Sequence, residues 1–122
     1  MEHALLVSFL EGETTPQDFT FAIQEEVDAC EKGFRSPANT GYIIITDGPL
    51  TTVTRKHMKR LLQCMFDESI LWMSANYTGD CLMMSDDFEP EDDEVAEAIT
   101  FVADDSRPPT PEETRAAIET LA

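Results

Sequence analysis

The chain has 122 residues, an apolar fraction of 42% and a formal charge of −17. That length suits a single globular domain over residues 1–122, and the apolar content is not that of a disordered acidic tail. No apolar run approaches the roughly 20 residues of a membrane span. Glu2 argues against a secretory leader, so a cytoplasmic protein without membrane contact is expected.

HALLVSFLE, residues 3–11, is short and rich in branched and aromatic residues, which predicts a buried strand. A helix start follows, with Thr15 as N-cap, Pro16 at the first helical position and Asp18 three residues after the cap. Phe19, Ala22, Ile23, Val27 and Cys30 then share one face, and Gly33 is the expected terminator. FRSPANTG reads as a loop. GYIIIT, ending at Asp47-Gly48-Pro49, has the apolar continuity of a central strand covered on both faces.

TRKHMKRLLQCMFD predicts a second helix, capped by Thr54 or a neighbouring threonine, with Met58, Leu61, Leu62 and Met65 as its apolar stripe. ILWMSANY and CLMMSDD flank Thr78-Gly79-Asp80 and read as an antiparallel hairpin. Beyond Pro90, EDDEVAEAITFVADD is read as a short helical turn followed by a fifth strand over AITFVAD. That preference rests on an internal echo: ALLVSFLEGETTPQDFTFAIQEE resembles AITFVADDSRPPTPEETRAAIET, each with an apolar run, a polar connector and a Thr-Pro helix start. In the second copy Thr110 and Glu113 form a capping box, and Ile118 and Leu121 face the core. The sum is an α/β or α+β single domain. It has a mixed four- to five-stranded sheet and about three helices, in the order β-α-β-α-β-hairpin-(short helix)-β-α.

The charge is unevenly spread. Residues 1–60 hold nine acids and six bases, a net of −3; residues 61–122 hold sixteen acids and two bases, a net of −14. Within residues 85–105 stand Asp86, Asp87, Glu89, Glu91, Asp92, Asp93, Glu94, Glu97, Asp104 and Asp105, with no lysine or arginine among them. Such a surface repels phosphates, which excludes direct nucleic-acid binding by this half and favours a basic protein as partner. These carboxylates are the expected partner-binding residues. Opposite in sign is a patch on the second helix, Arg55, Lys56, Lys59 and Arg60, in first turns where the helix dipole disfavours cations. The patch either holds the protein's own acidic segment or meets an anionic partner.

Other chemistry is sparse. Cys30, Cys64 and Cys81 are widely spaced and read as reduced, buried thiols. The acidic stretch lacks the glycine and register of a calcium loop, no glycine-rich phosphate loop is present, and no metal or cofactor is expected. Asp47 follows a predicted central strand, where α/β proteins bind ligands, although Asp-Gly-Pro is also turn chemistry. His57 reads as a boundary histidine. Met65, Phe66, Trp72, Met73, Met83 and Met84 read as core, with a partner patch as the alternative.

In size and charge, though in no motif, the chain resembles the small acidic inhibitors of phages and mobile elements: DNA mimics, anti-CRISPR proteins and nuclease-toxin immunity proteins. The resemblance implies a non-enzymatic inhibitor that blocks a basic, nucleic-acid-handling enzyme or complex. An immunity protein is the nearest alternative. From other classes come a divalent-metal hydrolase or nuclease using Asp47, and a module that self-associates through its hairpin edge.

Overall fold

The computed structural model describes residues 1–35 and 42–122, with the backbone alone at 34 and 35. Most of the predicted FRSPANTG loop lies outside the described residues. The fold is mainly helical, and the expected mixed sheet is absent among the described residues. In order run α1 (His3–Leu10), α2 (Pro16–Arg35), β1 (Thr51–Val53), α3 (Arg55–Phe66), α4 (Trp72–Met84), β2 (Phe88–Pro90), α5 (Asp93–Ala103) and α6 (Pro111–Thr120). The only sheet among these residues is the parallel pair β1–β2, registered Thr51 to Phe88 and Val53 to Pro90.

The first predicted strand is α1. Its buried residues His3, Leu6, Phe9 and Leu10 recur at helical spacing, which the surrounding apolar residues conceal. Gly12, at φ +83°, ends the helix in a Schellman turn: its N–H donates to the Phe9 carbonyl and the Glu13 N–H to the Ser8 carbonyl. Gly12 therefore closes α1 rather than opening α2. The α2 start is as predicted, with Thr15 Oγ1 accepting from the Asp18 N–H at 3.1 Å. However, the helix continues past Gly33, and Ala22 is exposed while Phe19, Ile23, Val27 and Cys30 are buried. Phe9 and Phe19 stack with ring centroids 4.2 Å apart, joining α1 to α2 in the core. Leu6, Ile23, Met58, Leu61 and Leu62 are fully buried with them.

The run YIIIT is not a strand. The Met1 ammonium donates to the Ile44 carbonyl at 2.7 Å, and the Thr46 N–H donates to the Met1 carbonyl at 2.9 Å. Tyr77 Oη accepts from the Ile44 N–H and donates to Glu26 at 2.9 Å; Glu26 also pairs with the Met1 ammonium. Side chains and the chain's own amino end thus satisfy backbone groups that a sheet would otherwise pair.

The predicted hairpin is α4. Ser74, Ala75, Thr78 and Gly79 are all buried in it, and the Thr78 hydroxyl is satisfied by the Ser74 carbonyl at 2.8 Å. Of these small residues, Ser74 and Gly79 favour turns in isolation. Here they let helices approach closely. A Cβ at Gly79 would lie 2.9 Å from the Ala103 backbone nitrogen, so α4 and the end of α5 touch there. The predicted strand AITFVAD belongs to α5, whose Val95, Ala98, Ile99 and Val102 form one helical stripe. α6 starts as expected: Glu113 N–H donates to Thr110 Oγ1 and Thr110 N–H to Glu113 Oε1, while Leu121 is buried and Ile118 half-buried. The two echoing segments are therefore helix–connector–helix units, not strand–helix units.

Two substitutions test this account by urea denaturation. Gly79→Ala gains helix propensity but drives a methyl into the α5 backbone, so a net loss of about 1–2 kcal/mol is expected. Glu68, at φ +58°, is the left-handed residue of a second Schellman turn after α3, in which Ser69 N–H donates to the Cys64 carbonyl. Glu68→Gly relieves that strain and should stabilise by about 0.5–1 kcal/mol, the gain being reduced by the freer unfolded chain.

Candidate partner-binding surface

The parallel β1–β2 pair sets the geometry of the acidic end. Each strand runs directly into a helix, β1 through Thr54 into α3 and β2 through Glu91 and Asp92 into α5. The two helix N-termini, each carrying about half a positive charge, therefore lie side by side. Thr54 Oγ1 caps α3 by accepting from the His57 N–H, and Asp92 caps α5 by accepting from the Val95 N–H. Glu91 reaches across: its Oε2 accepts from the Arg55 N–H at 3.0 Å, so the acidic segment caps the neighbouring helix as well as its own.

Arg55, the first residue of α3, closes the arrangement. Its Nε donates to Asp92 at 2.9 Å and its Nη2 to Glu94 at 2.6 Å. The Val95 N–H and the Arg55 guanidinium together hold the Asp92 carboxyl below its usual range. The other bases of the patch diverge. Arg60 donates to the Phe9 and Thr14 carbonyls and lies 5.0 Å from the Phe9 ring centroid, tying α3 to the end of α1. Lys56 and Lys59 are exposed and make no ion pair among the described residues.

His57 is buried and structural. Nδ1 accepts from the Thr54 N–H at 3.1 Å, which requires it to be bare; Nε2 therefore carries the proton and donates to Glu11 at 3.0 Å.

The ten carboxylates fall into two sets. Asp87 accepts from the Gly48 N–H, Asp104 accepts from the Ser106 N–H and hydroxyl, and Glu91, Asp92 and Glu94 are engaged as above. Asp86, Glu89, Asp93, Glu97 and Asp105 are exposed, with no side-chain hydrogen bond or ion pair among the described residues. Of these, Asp86, Glu89, Asp93 and Glu97 surround β2 and the first turns of α5. Asp93 and Glu97 stand one helical turn apart on the same face. Asp104 and Asp105 are at the far end of α5, about 16 Å away along its 11 residues. The structure thus separates what the sequence presents as one cluster.

Several predicted features lie elsewhere. Asp47 is exposed in the irregular segment before β1, not at the end of a central strand. Among the described residues no group of three or more His, Cys, Asp or Glu side chains converges to hold a metal ion. Cys30, Cys64 and Cys81 are buried and unpaired; burial pushes the Cys81 thiol up to about 12. Met73, Met83 and Met84, expected in the core, are exposed on α4, the last two by 56% and 65%, while Trp72 is half-buried. The hairpin edge proposed for self-association does not exist. No helix among the described residues is long and apolar enough to cross a membrane.

One residue escaped the sequence reading. Asp80, taken as a turn residue, is half-buried on α4, where burial first and the Asp105 charge second push its carboxyl up to about 6. A lone acid within WMSANYTGDCLMM was the available signal once that stretch is read as a helix. No family model, curated protein or solved structure matches this chain.

Because the folded-state value of Asp80 lies above the unfolded 3.8, its contribution to stability is complete below about pH 4 and is lost as the pH rises through about 6. Asp80→Asn should therefore stabilise the protein at about pH 7 by about 1–2 kcal/mol, allowing for solvent screening of a half-exposed side chain. The gain should vanish near about pH 4, as read from urea midpoints at the two pH values.

Proposed function

We propose that this protein is a small acidic binding protein that blocks a basic, nucleic-acid-handling partner by occupying its lysine- and arginine-rich groove. The observation that carries the reading is the net −14 over residues 61–122, borne by folded elements rather than by a tail. Asp86, Glu89, Asp93 and Glu97 form the outward acidic face; Glu91, Asp92, Glu94 and Arg55 hold it in place. Ordered charges present a fixed potential, which steers association and disfavours wrongly charged partners. The inhibitor is cytoplasmic and non-enzymatic in this reading, with the anti-CRISPR and anti-restriction proteins as its functional type.

The test begins with affinity capture from a lysate at low and high salt, followed by association kinetics with the captured protein. Asp93→Lys together with Glu97→Lys reverses exposed charges without touching the Arg55 cluster. The expected result is a drop in association rate of at least about tenfold at low salt, shrinking as salt is added. A captured partner that is not basic, or kinetics indifferent to the reversal, would refute the proposal.

A further inference from the structure

A cavity of about 260 Å³ opens between α2 and α4. Val27 and Cys30 form one wall; Trp72, Met73 and Tyr77 form the other. Asp80 and Asp105 also line it. The volume is slightly below the roughly 300 Å³ at which small-molecule pockets begin, and suits a single side chain. Two features make it more than a crevice. First, the close contact at Gly79 brings the end of α5 onto α4, and two residues beyond α5 comes Asp105. Second, neither Asp80 nor Asp105 has a hydrogen bond or ion pair among the described residues, although Asp80 is half-buried in largely apolar surroundings. Asp105 is exposed, but a half-buried carboxyl beside an aromatic ring and facing a second carboxylate is unfavourable unless a cation completes it.

We propose that this cavity is a pocket for one arginine side chain of the protein partner, its stem against Trp72 and Met73 and its guanidinium on Asp80 and Asp105. The identification of a partner residue rests on the function proposed above; the chemistry of the pocket does not. A guanidinium matches two carboxylates through its planar fork and stacks on aromatic faces, which an ammonium does less well. The outward row of α4 extends the surface: Met73, Asn76, Asp80 and then Met83 and Met84 recur at helical spacing. Exposed methionines are adaptable contacts for the apolar residues around such an arginine.

Affinity for a cation here depends on the carboxyls being ionised. The titratable groups facing Asp80 are Tyr77 and Cys81 on α4, Cys30 and Glu31 on α2, and Asp105. Burial raises both thiols and the phenol above their usual ranges, so they stay neutral between about pH 5 and 8. With Asp80 titrating near 6, cation affinity should fall about tenfold from about pH 8 to about pH 5.

Trp72 is the one tryptophan in the chain and lines this pocket; it also borders a second cavity beside Phe66 and Pro108, so the Asp80→Asn substitution is what assigns a fluorescence change to this site. The probe is n-propylguanidinium, the arginine side chain without its backbone; the control is n-propylurea, its neutral isostere. Expected is a saturable fluorescence change with the guanidinium, with a Kd of about 30 mM or tighter for so small a ligand, weakening about tenfold at the lower pH. Propylurea should give no saturation, and Asp80→Asn, which stabilises the fold, should abolish the response to guanidinium. An equal response to propylurea, an unaltered response in Asp80→Asn, or no saturation by about 100 mM guanidinium would overturn the assignment. The Asp93→Lys, Glu97→Lys protein should bind propylguanidinium normally, so failure of the pocket and failure of the acidic face are told apart.

Discussion

The acidic end of this protein depends on two short strands lying parallel. A parallel pair sends both strands out at the same edge, and each becomes a helix there. Two helix N-termini side by side would repel one another and leave unsatisfied N–H groups. Residues 91–94 remove both problems: Asp92 caps one helix, Glu91 caps the other, and Arg55 joins them. The concentration of negative charge in this stretch is thus partly a requirement of the fold. It also explains why a cation is tolerated at the first position of α3, where the dipole alone opposes it.

This dual use changes how the net charge is to be read. A carboxylate that accepts from a backbone N–H and an arginine is held inward and is a poor docking group. The outward face consists of acids that the fold does not employ; Asp86, Glu89, Asp93 and Glu97 stand just before β2, on it and on the first turns of α5, and Asp105 stands apart beyond the end of α5. Fewer unengaged charges face solvent than the composition implies. The basic stripe undergoes the same sorting. Arg55 and Arg60 serve the interior architecture, and Lys56 and Lys59 face solvent.

Along α4 a different sorting determines what is exposed. Its small residues are buried, because they permit the close approach to α5. Its methionines are turned outward, and Asp80 stands among them. This inverts the usual assignment of methionine to the core and small polar residues to the surface. The inversion concentrates apolar area, an aromatic ring and a destabilised carboxyl on one face, a combination that ordinary folding energetics would not select.

Local chemistry was legible in the chain. Thr15-Pro16, Thr54 and Thr110-Pro111 with Glu113 each marked a helix start, because a cap involves only residues within one turn. The placement of the acidic segment against Arg55 was legible as one of two alternatives. The strands were not. HALLVSFLE, YIIIT and AITFVAD are apolar enough to suit either a helix or a strand, and period alone cannot separate the two in so short a run. Whether Gly79 is a turn or a contact point, which carboxylates face inward, and whether Asp80 meets Asp105 all depend on residues distant in sequence. The sequence by itself determined the starts of α2, α3 and α6 and the charge imbalance. Tertiary packing alone decided which charges the fold consumes and which it displays, because burial and pairing are properties of neighbours that only the folded chain brings together.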